Sequence, residues 1–276
     1  MSSIPKVIHY CWFGDKEKTE IVNKCIESWK KNLPGYEFKE WGNNDLKFVK
    51  NQYVEEAIKY KKWAFVSDYF RLYALYNYGG IYLDTDEEVF KSFEYFLDLD
   101  FFIGFEENYK NVNILASVIG AKKHNSFIKE FLNLYEDIHF VNEDNDIDYT
   151  TINKRIEDYL CKVSSLKRPF KKNEKFILAE NAIIFPVNYF CTYNSDITIA
   201  MHHYNSSWLP DLKVYKVVKF LFFKLRIYSV KQGRFLKNIF NVKGLPFFAY
   251  PRFGKRSIIL TIEINRNNKE KNNKCY

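Results

Sequence analysis

The segment YGGIYLDTD, from Tyr78 to Asp86, places two carboxylates directly after a short apolar stretch. Its two glycines end the apolar run that precedes them, because glycine adopts the backbone conformations in which helices stop. The stretch Ile81–Leu83 then predicts a buried strand. Residues i and i+2 of a strand point to one side, so we expect Asp84 and Asp86 to project together at the carboxyl end of this strand.

Two neighbouring carboxylates at this position predict a cation site. In open α/β sheets, ligands bind outside the carboxyl ends of the strands. Two carboxylates that converge there repel each other unless a cation lies between them. Mg²⁺ and Mn²⁺ prefer oxygen ligands and take their remaining ligands from water and phosphate oxygens. Asp84 and Asp86 therefore predict a carboxylate clamp for a metal that carries a phosphate-bearing ligand. The plainer alternative is an exposed turn.

The helix predicted before this strand adds candidate ligand contacts. Apolar residues recur at helical spacing over Ala64–Tyr78, and the same segment contains Ser67, Asp68 and Arg71. Asp68 and Arg71 are three residues apart and share a helix face. Arg71 is a candidate to hold a pyrophosphate beside the carboxylate clamp, and the plainer alternative is an ion pair within the helix.

The chain opens with a β-α-β pattern. Ile4–Tyr10 and Tyr36–Trp41 predict strands, and Glu20–Asn32 between them predicts a helix with one apolar face. Further candidates are strands at Phe101–Phe105, Ile183–Phe185 and Ile197–Met201 and a helix at Asn125–Phe140. The pattern predicts an α/β fold whose sheet strands are joined by crossover helices.

Cysteine usage and hydropathy indicate an intracellular protein. The five cysteines are widely spaced and contain no C-x-x-C pair, which argues against a disulfide framework and favours a reducing compartment. The first residues lack a basic region followed by an apolar one, so we expect no signal peptide. No apolar run reaches the ~18 residues of a membrane span. The expected location is the cytoplasm.

Four ordered motifs give the sequence a specific resemblance. IPKVIHYCWFG, PGYEFKEW, AFVSDYFRLYALYNYGGIYLDTD and HHYNSSW together resemble glycosyltransferase family 32, over residues 4–208. That family groups bacterial capsule and lipopolysaccharide sugar transferases with the yeast initiating mannosyltransferase. The arrangement is also similar to the catalytic domain of the large clostridial glucosylating toxins. The resemblance implies a GT-A fold, with a central, mostly parallel mixed sheet flanked by helices, and retaining sugar transfer that depends on Mn²⁺ or Mg²⁺.

The family pattern implies a metal site made of residues distant in sequence. Asp86 would bind the metal directly, and Asp84 would contact the ribose and the metal shell. His202 matches the late motif that completes the site. Its neighbour His203 is the alternative, and only the family pattern chooses between them, since alternate side chains of a strand face opposite sides.

The same pattern implies a donor site around the metal. Trp12 matches the aromatic residue that stacks on the nucleobase, although a core aromatic is the plainer alternative. The remaining donor-binding candidates are Ser67, Asp68, Arg71 and Asp84, together with Ser207 and Trp208 in a loop that closes over the donor.

The function that follows is the transfer of a hexose or N-acetylhexosamine from a UDP- or GDP-sugar to a growing capsule or lipopolysaccharide glycan. The acceptor would be a glycan or a lipid-linked glycan, and Glu106 and Glu107 are candidates to contact it. The alternatives are a catalytically silent nucleotide- or sugar-binding protein and an effector that glucosylates a protein. A haloacid-dehalogenase-like phosphatase is disfavoured, because Glu88 stands where that motif has Thr.

Positive charge is concentrated at the end of the chain. The net charge is +8, but residues 213–276 contain 16 Lys or Arg and 2 Asp or Glu, a net of +14. We therefore predict a catalytic domain at 1–212 and a basic, aromatic extension at 213–276. Helical spacing from Val214 to Tyr228 predicts a basic amphipathic helix, followed by a partly disordered tail. Three roles are open to this helix: it would lie on an anionic membrane surface, pack on the catalytic domain or bind nucleic acid. We predict peripheral membrane association and no nucleic acid.

Overall fold

The computed structural model describes residues 3–108, 111–142 and 146–203, and beyond them the strand segments 213–219, 223–231, 248–253 and 256–264. By residue contacts the chain divides into two units, Met1–Trp208 and Leu209–Tyr276. Each unit has a sheet of its own.

The first unit alternates strands and helices along the chain. Its strands are β1 (Val7–Cys11), β2 (Glu37–Trp41), β3 (Gly80–Leu83), β4 (Glu87–Val89), β5 (Phe101–Asn108), β6 (Asn111–Ala121), β7 (Phe176–Ala179), β8 (Ala182–Phe185) and β9 (Ala200–His202). Its α-helices are α1 (Glu20–Asn32), α2 (Gln52–Lys59), α3 (Trp63–Tyr78), α4 (Ser126–Asn133), α5 (Ile152–Val163) and α6 (Val187–Phe190).

Seven of these strands form one mixed sheet in the order β2-β1-β3-β6-β5-β8-β7. The strands β1, β2 and β3 are parallel, and β5 is parallel to β8. Only β6 and β7 run against the rest of this sheet. Strands β4 and β9 form a separate antiparallel pair. The predicted α/β class with a mostly parallel mixed sheet is confirmed.

Hydrophobic residues on the two faces of the sheet form two buried clusters. In β3, Ile81 and Leu83 belong to one cluster and Tyr82 to the other, as expected when successive side chains of a strand point to opposite faces. Helix α1 contributes Trp29 to the first cluster, and α3 contributes Phe70 to the second. The sheet is therefore covered on both faces, which explains why β3 is apolar throughout.

The Gly-Gly pair turns the chain from α3 into β3. Gly79 ends the helix at φ +67°, and its N–H donates to the carbonyl of Leu75 at 2.9 Å. Gly80 follows at φ +112°, and a Cβ there would lie 2.6 Å from the carbonyl oxygen of Val7. A residue without a side chain is thus required for β3 to lie beside β1.

The predicted helix at Asn125–Phe140 is too long. Helix α4 covers Ser126–Asn133, and the chain then turns. The helical spacing continues past the helix end because Leu134 and Ile138, which follow the helix, also pack against the buried cluster. Among the strand candidates, the last one is shifted, since β9 is Ala200–His202.

The predicted amphipathic helix in the basic extension is wrong. The second unit contains β10 (Lys213–Lys219), β11 (Phe223–Lys231), β12 (Phe248–Phe253) and β13 (Arg256–Ile264), which form an antiparallel sheet in the order β10-β11-β13-β12. These segments are rich in β-branched and aromatic residues, and β11 alternates apolar and basic residues at its start. Both features favour strands.

Among the helices that the structure describes, none is both long enough and apolar enough to cross a membrane.

Candidate active site

The carboxylate clamp lies on a tight turn that joins β3 to β4. The N–H of Glu87 donates to the carbonyl of Asp84 at 3.0 Å, which closes the turn around Thr85 and Asp86. The N–H of Asp84 donates in turn to the carbonyl of Ser117 on β6 at 2.9 Å. The two carboxylates therefore emerge at the carboxyl end of β3, on a turn that the sheet holds in place.

Strand pairing brings His202 to this turn. In the antiparallel pair of β4 and β9, Glu87 lies opposite His202, and the N–H of His203 donates to the carbonyl of Asp86 at 2.9 Å. The Nε2 atom of His202 lies 3.1 Å from Oδ1 of Asp86. One side-chain atom each of Asp84, Asp86 and His202 lies within 4.8 Å of the others. We call these three residues the Asp–Asp–His cluster.

The donor set of the Asp–Asp–His cluster fits a divalent metal. Carboxylate oxygens suit Mg²⁺ and Mn²⁺, and an imidazole nitrogen adds a ligand that transition metals accept. The three side chains are 14–25% exposed, so they are partly buried yet open to solvent. A metal held by these three side chains would have coordination positions left for ligands from outside the protein.

The structure separates the two histidines. The Nε2 atom of His203 lies 2.8 Å from Oε2 of Glu88, on the other side of the β4–β9 pair from the cluster. Since alternate residues of β9 face opposite sides, the geometry places His202 and not His203 with the aspartates.

Nearby carboxylates determine the electrostatics of His202. Burial acts to lower its pKa, but the hydrogen bond to Asp86 and the negative charges of Glu87, Asp86 and Asp84 raise the pKa to about 10. The imidazole is therefore protonated at neutral pH in the metal-free chain. A metal that binds there has to displace this proton.

Arg71 orients Asp84. Its Nη2 atom lies 2.7 Å from Oδ1 of Asp68 and 3.2 Å from Oδ1 of Asp84, and its Nη1 donates to the carbonyl of Ala116 at 2.7 Å. The guanidinium also lies 4.6 Å from the ring centre of Tyr82, whose hydroxyl donates to Asp84 at 3.0 Å. Both arrangements expected for Arg71 are therefore present, the ion pair with Asp68 within the helix and the position beside the carboxylate clamp. Arg71 is buried, and these contacts engage it with the protein.

Helix α5 contacts the second carboxylate oxygen of Asp68. The N–H of Ile152, at the start of that helix, donates to Oδ2 of Asp68 at 3.3 Å. Burial raises the pKa of Asp68 to about 6, against the opposing effect of Arg71. The side chain of Ser67 stays within α3, where its hydroxyl donates to the carbonyl of Trp63 at 3.0 Å.

Trp12 lies at the same edge of the sheet as the clamp. It follows β1 directly, and β1 is the parallel neighbour of β3. Its indole N–H donates to the carbonyl of Lys16 at 2.8 Å, and the side chain is only partly buried. This position does not fit a core aromatic.

The acceptor candidates lie at the carboxyl end of β5. Glu106 accepts a hydrogen bond from the amide of Asn153 at 3.1 Å, and Glu107 pairs with Lys172 at 3.0 Å. Because β5 runs parallel to β3, this end of the strand is at the clamp's edge of the sheet. Ser207 and Trp208 lie outside the described residues.

Sequence reasoning missed Glu87 and Ser117. Glu87 is fully buried, and its Oε1 accepts from the hydroxyl of Ser117 at 2.5 Å. Burial raises the pKa of Glu87 to about 8, although His202 and Ser117 act to lower it. The available signal is the alternation of β4, which puts Glu87 on the same face as the buried Val89.

Fold and site together define an α/β protein with the Asp–Asp–His cluster at the carboxyl edge of a mixed sheet. Residues 19–104, which include both clamp aspartates, match the profile of the family described as "Glycosyltransferase sugar-binding region containing DXD motif".

Two relatives of this chain are named as glycosyltransferases, and one solved glycosyltransferase structure is similar over part of the chain. An uncharacterized glycosyltransferase of Acanthamoeba polyphaga mimivirus is 30% identical over 227 residues, 78% of this chain and 87% of that protein. The inositol phosphoceramide mannosyltransferase 3 of Schizosaccharomyces pombe is 32% identical over 31% of this chain and 25% of that protein. The PaToxG glycosyltransferase structure is 26% identical over 48% of this chain and 60% of that one, with a TM-score of 0.39.

The chain therefore belongs to the glycosyltransferases that contain the DXD sugar-binding region, and it is a transferase. Its fold is a mixed α/β sheet of seven strands with helices on both faces.

Proposed function

We propose that the protein is a metal-dependent, retaining glycosyltransferase that moves a hexose or N-acetylhexosamine from a UDP- or GDP-sugar to a growing capsule or lipopolysaccharide glycan. The observation that carries this proposal is the Asp–Asp–His cluster, in which two carboxylates and an imidazole converge within 4.8 Å. The retaining course and the surface-glycan acceptor are supported by the resemblance to family 32.

The chain's own residues prepare the site for a nucleotide sugar. Asp84, Asp86 and His202 would hold Mn²⁺ or Mg²⁺, which when bound supplies a Lewis acid that neutralises negative charge on the departing nucleoside diphosphate. Arg71 fixes the carboxylate of Asp84 through a contact of 3.2 Å and adds positive charge beside it. Trp12 presents a partly exposed ring at the same edge, where a nucleobase can stack.

Strand β5, which is separated from β3 by β6 in the sheet, carries the candidate acceptor contacts. Glu106 and Glu107 lie where β5 ends, at the edge that carries the clamp. Partly exposed carboxylates accept hydrogen bonds from sugar hydroxyls. We therefore propose that a glycan or lipid-linked glycan acceptor binds on the β5 side of the donor.

We further propose that the protein works in the cytoplasm, on the inner face of the membrane. The net charge of +14 in residues 213–276 supports attraction to an anionic surface, where each nearby Lys or Arg contributes about 1 kcal/mol. A strand-forming basic segment serves this purpose as well as a helix, because the attraction depends on charge.

A thermal-shift panel tests the donor. The full chain is heated with UDP- and GDP-sugars, each with Mn²⁺ or with a chelator, beside the Asp86→Ala variant. The matching donor is expected to raise the melting temperature only in the native chain with Mn²⁺, since a ligand at 100 times its Kd adds about 2.7 kcal/mol of stability. Free nucleotide released in the same samples separates a transferase from a silent binding protein. A panel without any shift contradicts the proposal.

A further inference from the structure

Glu87 follows Asp86 of the Asp–Asp–His cluster in the chain, and only one of its two carboxyl oxygens has a hydrogen-bond partner among the described residues. The side chain is fully buried, and Oε1 accepts from Ser117. Oε2 has no hydrogen-bond partner within the part of the chain that the structure describes. A buried carboxyl oxygen without a partner is costly, so its presence calls for a function that the fold itself does not explain.

Strand register aims this carboxyl at His202. Glu87 and His202 are directly opposed in the β4–β9 pair, and opposed residues project from one face with Cβ atoms about 4.5–5.5 Å apart. The two side chains also interact electrostatically. The two residues beside Glu87 make different contacts. Asp86 contacts the Nε2 atom of His202, and Glu88 pairs with His203.

Two hydrogen bonds hold Glu87 in position, and Ser117, which makes one of them, also contacts the clamp. The hydroxyl of Ser117 holds its carboxyl, while the carbonyl of the same serine accepts from the N–H of Asp84. The indole N–H of Trp29 donates to the carbonyl of Glu87 at 2.6 Å. One residue of β6 thus anchors both the clamp and the carboxyl behind it.

We propose that Glu87 is a positioning residue of the metal site. With a metal bound at Nε2, Oε2 of Glu87 would accept the ring N–H of His202 that faces away from the metal, and the bond would keep Nε2 directed toward Asp84 and Asp86. Histidine ligands commonly donate their second ring N–H to a carboxylate, and loss of such a partner typically weakens metal affinity 10- to 100-fold. This inference rests on the proposed metal-dependent function.

The test compares Glu87→Gln with Glu88→Gln in the full chain. Mn²⁺ alone is titrated at fixed pH and the free ion is followed by electron paramagnetic resonance. The amide keeps the shape of the side chain but carries no negative charge, so a hydrogen bond that it accepts from His202 is weaker than one to a carboxylate. Glu87→Gln is expected to bind Mn²⁺ about tenfold or more weakly. Glu88→Gln changes the adjacent carboxylate that pairs with the other histidine, and we expect it to match the native affinity.

The metal-free melting temperature of each variant is measured alongside. A purely structural role for Glu87 lowers that temperature and leaves the Mn²⁺ affinity of the folded protein unchanged, and this result overturns the inference. Native chain that binds no Mn²⁺ overturns the proposed function and the inference together. If Glu87→Gln does not fold, Glu87→Leu, which removes both acceptor oxygens, decides: weaker Mn²⁺ binding supports the inference, and native affinity contradicts it.

Discussion

Gly80 determines how closely the strand that leads to the carboxylate clamp can approach its neighbour. Its φ is +112°, and an added Cβ would meet the carbonyl oxygen of Val7 at 2.6 Å. Gly80→Ala therefore combines backbone strain with a clash against main-chain atoms that cannot move aside. We expect it to lower the free energy of unfolding by about 3–5 kcal/mol, measured by chemical denaturation.

Gly35 provides the control for this substitution. It also has a positive φ, +81°, but a Cβ there meets no atom within 4 Å. Gly35→Ala is expected to cost only about 1–2 kcal/mol, the strain of a left-handed conformation. Equal losses in the two variants would show that the close approach of β3 to β1 is not what Gly80 provides.

How much of the site could be predicted from the sequence depends on how far apart along the chain the interacting residues lie. Asp84, Asp86 and Arg71 lie in one continuous stretch, so spacing alone brings them together. His202 was found by its motif, but its choice over His203 needed the β4–β9 register. Glu87 was missed because its partner Ser117 is 30 residues away along the chain, and because β4 has only three residues in which the alternation with Val89 can be read.

At the scale of elements, His9 ties β1 to two neighbours. Its Nε2 lies 2.8 Å from the carbonyl oxygen of Gly79, and its Nδ1 accepts from the indole N–H of Trp41 at 3.2 Å. This arrangement needs a neutral imidazole with its proton on Nε2. Burial lowers the pKa of His9 to about 4 from the ordinary 6.5.

This shift predicts acid sensitivity of the fold. Above pH 6.5 the imidazole is neutral in both the folded and the unfolded chain, so it adds no pH dependence. Below 6.5 the unfolded chain binds a proton that the folded chain does not, and stability falls until the pH reaches about 4. The full loss is about 3 kcal/mol.

Denaturation curves between pH 4 and 8 measure the effect. His9→Gln is expected to lack this part of the pH dependence, because glutamine does not titrate. An unchanged pH profile in His9→Gln would assign the acid sensitivity to other groups.

Elements with one clear period were predicted well. Helix α1 has its predicted bounds, and α3 and β3 each begin one residue before theirs. Strand β6 was missed because it is buried on both faces over most of its length and shows no alternation. Spacing alone also extended α4 too far, since apolar turn residues continue its pattern into the buried cluster.

At the scale of the whole molecule, the basic extension shows where local patterns stop being sufficient. The spacing from Val214 to Tyr228 fits a helix, yet β11 pairs with β13 from Phe223↔Ile264 to Lys231↔Arg256. This pairing joins residues more than 20 positions apart in the chain. The spacing of apolar residues within a short stretch of sequence carries no information about such distant partners. Composition was the better guide, because β-branched and aromatic residues favour strands.

The charge of this segment leads to a prediction about membranes. A chain ending at residue 212 loses a net +14 and is expected to lose binding to vesicles that contain anionic lipid, as measured by sedimentation. The full chain should bind less at high salt, because surface attraction is screened. Neutral vesicles serve as the control. Equal sedimentation of the full and shortened chains with anionic vesicles rejects the membrane association.

Sugar transfer at the Asp–Asp–His cluster is tested most directly by turnover. The rate of nucleotide release from UDP- and GDP-sugars is measured for the full chain with Mn²⁺, with a chelator, and in Asp86→Asn and Glu88→Gln. The native chain and Glu88→Gln are expected to turn over one donor with Mn²⁺. The chelator and Asp86→Asn should each reduce the rate at least about a hundredfold, since a catalytic metal supplies several kcal/mol. Turnover that persists with the chelator, or in Asp86→Asn, would contradict a metal-dependent reaction at this site.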